Sequence, residues 1–183
     1  MHLFEKAGAE NTRRTLELAR ARAMELGLQT AVVATTSGAT GELATRLLEP
    51  LKVVVVGHSC GFAGPGRQEL EPVRAERIRA SGASLLTATH AFGGVGRAVR
   101  LKFQTYQVEE IIAATLRLFG QGTKVAVEIA LMAADAGLLP VDRDALAIGG
   151  TGSGADTALV LRPAHAQAFF ELKIQEIVCK PRL

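Results

Sequence analysis

Thr30-Ala31-Val32-Val33-Ala34-Thr35 runs directly into Thr36-Ser37-Gly38-Ala39-Thr40-Gly41, and from there into a segment with Leu43, Leu47 and Leu48 at helical spacing. The apolar, β-branched half predicts a strand, and the leucine spacing predicts a helix reaching about Leu48, beyond which Pro50 forbids more. Between them lie only small hydroxylated and glycine residues. A strand, such a turn and a helix start together bring unpaired backbone N–H groups and the positive end of a helix dipole to one spot. That spot suits an anion, most often a phosphate. Gly38 would let the backbone approach a ligand closely, while Ser37 and Thr40 each offer a hydroxyl without adding charge. The same residues also fit an ordinary strand-to-helix turn with a Ser or Thr N-cap. The stretch therefore decides the fold and nominates a site without assigning it.

The same order repeats along the chain. Val53-Val54-Val55-Val56 is a continuous apolar run of the kind covered on both faces, and it ends in the long loop Gly57-His58-Ser59-Cys60-Gly61-Phe62-Ala63-Gly64-Pro65-Gly66. A helix over 69–80, a strand over 84–88 and a second glycine loop, His90-Ala91-Phe92-Gly93-Gly94-Val95-Gly96, follow. Val108 to Phe119 and Val125 to Ala136 carry helical periodicity, and Ala145 to Ile148 forms a fourth strand ending in Gly149-Gly150-Thr151-Gly152-Ser153-Gly154. Ahead of all this, residues 7–27 predict a helix closed by Gly27. After it, Thr157–Leu161 and Lys173–Cys179 predict strands separated by one or two helical turns over 164–170. Alternating strands and helices imply an α/β protein with right-handed crossovers, a mainly parallel sheet and helices on both faces. Ligands in such sheets sit beyond the carboxyl ends of the strands, where strand order reverses. All four glycine loops fall on that edge, which is why they are read as one site.

Composition narrows the function. At 183 residues, with 48% apolar and 21% charged residues, the chain predicts one globular domain over 1–183, with a core that needs no metal or disulfide. A single Tyr, no Trp, a net charge of +3 and no basic block argue against a nucleic-acid surface. Neither a membrane-spanning run nor a leader segment is evident, so a cytoplasmic setting and no membrane partner are expected. Cys60 and Cys179 lack metal-ligand spacing. For subunit number, a homodimer is the statistical default, and the apolar Val108–Phe119 helix offers one contact surface.

Among chemically capable residues, His58 and His90 both follow strand ends and fit either a ligand contact or a hydrogen bond within their own loops. Cys60 beside His58 invites a nucleophile-and-base reading; a packed thiol is the alternative. Asp156 fits a ligand contact or a turn cap. Arg97, Arg100 and Lys102 could neutralise a phosphate or form a solvated face. Met24 and Met132 sit on apolar helical stripes and read as core. Because Gly149–Gly154 precedes a strand, it is not a dinucleotide fingerprint, and no P-loop Gly-Lys-Ser/Thr pair is present.

The Thr35-Thr36-Ser37-Gly38-Ala39-Thr40 loop resembles the phosphate-holding loop of the pyruvate kinase C-terminal domain, and Gly149 to Asp156 resembles that domain's last glycine-rich segment. The barrel needed for kinase chemistry is not part of the match. Nearly the whole chain is similar to the small family of stand-alone pyruvate-kinase-C-terminal-domain-like proteins. That resemblance rests on Phe4-x-x-x-Gly8-x-x-Asn11-Thr12, Ser37-Gly38-x-Thr40, Gly57-His58-x-x-Gly61-Phe62 and Gly149-Gly150-Thr151-Gly152-x-Gly154-Ala155-Asp156-Thr157. It implies a three-layer α/β/α domain with antiparallel final strands, and flavin mononucleotide (FMN) as ligand. In that reading Thr35, Thr36, Ser37, Gly38 and Thr40 surround the phosphate. Gly57, His58, Gly61 and Phe62, then His90, Gly93 and Gly94, then Gly150, Thr151, Gly152 and Gly154, wall the ring. Two other readings stay open: a non-catalytic sensor of a sugar phosphate, and an enzyme using Cys60.

Overall fold

Apolar β-branched runs have nowhere to go but the middle of a sheet, and the computed structural model, which describes residues 1–183, places them there. Thirteen regular elements follow in chain order. They are β1 (His2–Phe4), α1 (Thr12–Leu26), β2 (Thr30–Thr35), α2 (Ala39–Leu47), β3 (Lys52–Gly57), α3 (Pro72–Ala80) and β4 (Ser84–Thr87), then α4 (Val95–Phe103), α5 (Val108–Arg117), α6 (Gln121–Asp135), β5 (Ala145–Gly149), β6 (Thr157–Arg162) and β7 (Lys173–Pro181). The strands form one seven-stranded sheet in the order β1-β7-β6-β5-β2-β3-β4. Pairs β2–β3, β3–β4, β2–β5 and β1–β7 are parallel, and β5–β6 and β6–β7 are antiparallel, so β6 alone runs against the rest.

Side chains alternate between faces with a period of two. Ala31, Val33, Val53, Val55, Leu146 and Ile148 pack with Leu16, Ala19 and Ala23 of α1, Ala44 of α2 and Ile78 of α3. Their neighbours Val32, Val54, Val56, Ala145 and Ala147 pack on the opposite face with Ala113 of α5 and Ala126, Ile129, Ala130 and Ala133 of α6. Helix α6 lies between the sheet and α5, which is why nearly all of it, including Lys124 and Glu128, is buried. Truncating a fully buried side chain such as Leu146 in this arrangement costs about 2–5 kcal/mol.

Several expected boundaries shift. The first helix begins at Thr12, because Ala9–Asn11 forms a separate 3-10 turn. Helix α3 begins at Pro72 instead of Glu69: proline occupies its first turn and holds the preceding Glu71 extended. Two elements are unanticipated. The edge strand β1 is three residues long, and α4 has no buried residue. The exposed face of the Val108–Phe119 segment carries Val108, Ile111, Leu118 and Phe119. No helix is long and apolar enough to cross a membrane.

Candidate functional site

Strand order turns outward from β2 in both directions. The chain goes from β2 to β3 and β4 on one side, then crosses through α4, α5 and α6 to reach β5 on the other. The loops leaving β2, β3, β4 and β5 gather at this reversal, around a cavity of about 560 Å³.

One end of the cavity is the start of α2. Thr35, Thr36, Ser37, Ala39 and Thr40 line it. The Thr35 hydroxyl oxygen accepts N–H bonds from Gly38 at 3.1 Å and Gly41 at 3.4 Å, which ties the turn to the strand end. Gly38 serves packing rather than ligand approach. It holds φ at 100°, and a Cβ there would come 2.7 Å from Cβ of Arg74 and 3.0 Å from Leu70. No Lys or Arg lines this cavity, so an anion at this end would be met by hydroxyls, helix-start amides and the dipole.

At the other end, the loops after β3 and β4 bring three rings together. The Phe62 and His90 ring centres are 4.7 Å apart and nearly parallel, and His58 packs 4.3 Å from Phe62 and 5.2 Å from His90. His58 Nδ1 lies 2.7 Å from Glu69 Oε2, which orients the ring. Beneath His90 sits the buried ion pair of Lys124 and Glu128. Glu128 also accepts the Phe92 N–H at 3.0 Å, fixing the loop after β4 to α6. Burial holds the His90 pKa below its ordinary value of 6.5, and His58, Lys124 and Arg97 push the same way against Glu128. Burial likewise lowers the Lys124 pKa, opposed by Glu128.

The third wall is the glycine loop after β5. A Cβ on Gly149 would meet the carbonyl oxygen of Gly122 and the amide of Ala126, so glycine there lets α6 approach β5. Asp156, which fits a ligand contact or a turn cap on sequence grounds, is a cap. Fully buried, it accepts the N–H groups of Gly8 and Thr151, each at 3.2 Å, and the Thr157 hydroxyl at 2.8 Å. Thr12 adds a second tie, accepting the Ala155 N–H at 3.0 Å and donating to the Ala9 carbonyl. The Gly8–Thr12 and Gly149–Thr157 motifs, far apart in sequence, are thereby one structural unit.

Of the residues nominated from sequence, Thr35, Thr36, Ser37, Thr40, Gly57, His58, Phe62, His90, Gly150, Gly152 and Gly154 line this cavity. Five do not. Gly38 faces α3; the Gly61 N–H turns back to the Arg67 carbonyl; and the Thr151 N–H is taken by Asp156. Gly93 and Gly94 lie at the start of α4 and line an adjoining cavity. Cys60 is exposed and lines neither cavity, and Cys179 is buried, its thiol pKa pushed up to about 11 by desolvation. Arg97 stacks over Phe62, while Arg100 pairs with Glu110. Met132 is both core and cavity wall.

Sequence reasoning missed the contribution of α6, which presents Gln121, Val125, Glu128, Ile129 and Met132 along one stripe. The available signal was Glu128, a carboxylate on an otherwise apolar face. No protein-family model matches the chain.

Proposed function

We propose that this protein binds a phosphorylated small molecule across the β2–β5 reversal, and that the ligand is flavin mononucleotide. The observation that carries the reading is the polarity of a single cavity. One end is a helix start with the hydroxyls of Thr36, Ser37 and Thr40, and the other is walled by Phe62, His58 and His90. The space of about 560 Å³ lies in the range of cofactor sites. The residues fit the group: neutral donors for a phosphate, and aromatic and apolar side chains including Ile129 and Met132 for a planar ring.

In this reading Ser37, Thr40 and the first amides of α2 hold the phosphate, and the stacked pair of Phe62 and His90 walls the ring at one end. A bound flavin supplies redox chemistry of its own. The chain's own contribution at the ring is His58: with Nδ1–H donated to Glu69, its Nε2 is the nitrogen free to exchange a proton with a ligand.

Fluorescence titration of the purified protein with FMN, riboflavin and sugar phosphates tests this. FMN is expected to bind more tightly than riboflavin by about tenfold or more, the value of a charge-assisted hydrogen bond or two. Ser37→Ala combined with Thr40→Val should erase that preference while leaving riboflavin binding in place. Equal affinity for FMN and riboflavin, or no flavin binding, refutes it; thermal stabilisation by sugar phosphates alone would favour a sugar-phosphate sensor.

A further inference from the structure

Helix α5 is apolar on two sides, and the fold covers only one of them. Ile112, Ala113 and Leu116 turn inward and pack with α6. On the opposite side Val108, Ile111, Thr115 and Leu118 form a second stripe, at the alternating three-and-four spacing of a helix–helix seam. Ala114 and Thr115 are the other exposed residues along it, so no charge interrupts the stripe. Thr115 brings no unmet polar group, because its hydroxyl already donates to the Ile111 carbonyl at 3.0 Å. A helix whose outer side faces water carries charged and polar residues there, whereas one that is apolar all round is buried.

The size of the bare surface points the same way. Phe119 extends the stripe at one end, and Phe103 and Tyr106 stand at the other, at the close of α4 and in the turn before α5. With Val108, Ile111 and Leu118 they make six large side chains, each between 52% and 73% exposed. Together they leave roughly 700 Å² of side-chain surface open. The largest apolar patch on a monomer is typically about 300–600 Å², and each partner in a stable complex buries about 800 Å².

The stripe is also its own complement. Laid antiparallel on the same helix of a second chain, Val108 meets the partner's Leu118 and Ile111 meets the partner's Thr115, so the smaller residue stands opposite the larger in each layer. That orientation brings the acidic first turn, with Glu109 and Glu110, to the end that carries the partner's Arg117. A parallel pair would set like charges and like dipole ends side by side. A lipid surface fits less well, since anionic headgroups call for basic residues around an apolar stripe and α5 opens on two glutamates.

We propose that α5 is the centre of a two-fold homodimer interface, its Val108–Leu118 stripe packed antiparallel against that of a second copy of this chain. The assignment does not depend on what the cavity binds, since no residue of the stripe lines it.

Sedimentation equilibrium of the full chain tests this. At about 50 μM, above the micromolar limit for interfaces of standard size, the mass should be twice the 19.3 kDa of one chain. Ile111→Glu and Leu118→Glu, both at exposed positions, should each return it to that of one chain with the far-ultraviolet circular dichroism unchanged. Val73→Glu, an exposed apolar position of α3 on the other side of the sheet, should leave the dimer intact. Orientation is read by cross-linking in a Cys60→Ser background. Val108→Cys and Leu118→Cys chains should form an interchain disulfide when mixed and oxidised, and neither should do so alone. A monomeric parent, a dimer that survives both glutamate substitutions, or a disulfide from either cysteine variant alone overturns the proposal. So does a monomer that binds phosphatidylserine vesicles and loses that binding in the glutamate variants, which would assign the stripe to a lipid surface.

Discussion

Replacing Asp156 tests whether the wall of the cavity is held as the structure indicates. Its carboxylate is fully buried and takes three donors, the Gly8 and Thr151 amides at 3.2 Å and the Thr157 hydroxyl at 2.8 Å. Asp156→Ala strands two part-buried backbone N–H groups and the buried Thr157 hydroxyl. At about 1–3 kcal/mol for a buried group and less for the part-buried amides, the variant should lose roughly 2–6 kcal/mol in total. That is a large part of the stability of about 5–15 kcal/mol typical of a domain. Asp156→Asn is the control. Its amide oxygen can face the two N–H groups while its nitrogen donates to Thr157, whose hydroxyl turns to accept, so the loss should be about 1 kcal/mol. Urea unfolding followed by circular dichroism reads the difference. With a slope of about 2 kcal/mol per molar, the alanine midpoint should drop by roughly 1–3 M. Hydrogen exchange should show the Gly8 and Thr151 amides losing protection in the alanine variant before the amides of β2 and β3 do. An alanine variant within about 0.5 kcal/mol of the parent, the range of an ordinary surface change, would refute the argument. So would identical losses for alanine and asparagine.

Glu128→Ala should cost about 3–5 kcal/mol, because it leaves Lys124 buried without its carboxylate and the Phe92 N–H without an acceptor. Glu128→Gln should cost less, and Lys124→Met with Glu128→Gln less than Glu128→Ala, as read by the same unfolding assay. Since burial depresses the His90 pKa, the unfolded chain binds a proton that the folded chain resists. Stability should therefore be flat above the ordinary value of 6.5 and fall as pH drops below it, by at most about 1.4 kcal/mol per pH unit. His90→Gln should remove that component between about pH 7 and pH 5, and an unchanged profile would show that burial does not hold the His90 pKa down. With a thiol-reactive dye on the native protein, Cys60 should label quickly and Cys179 only on unfolding; rapid labelling of both contradicts the burial of Cys179.

The layers of this protein are written in local pattern. Val53–Val56 and Ala145–Ile148 read as buried strands because nothing in them tolerates water, and Pro50, Gly27 and Gly137 stop their helices through backbone geometry that needs no distant partner. The start of α2 was visible for the same reason: a strand, a hydroxylated turn and a helix are contiguous. Helix α4 was not, because a segment with no buried residue carries no core-facing stripe, and β1 is a three-residue edge whose pairing lies at the far end of the chain in β7. Nor could sequence place Glu128 on the cavity, bring Gly8 to Asp156, or unite His90, Arg97, Glu110 and Arg117 around one space. Those juxtapositions arise when α4, α5 and α6 cross the sheet between β4 and β5. Burial and turn chemistry are properties of neighbouring residues and so are legible in order along the chain. Which distant side chains share a cavity depends on where the crossover lays its helices, and only the packed sheet decides that.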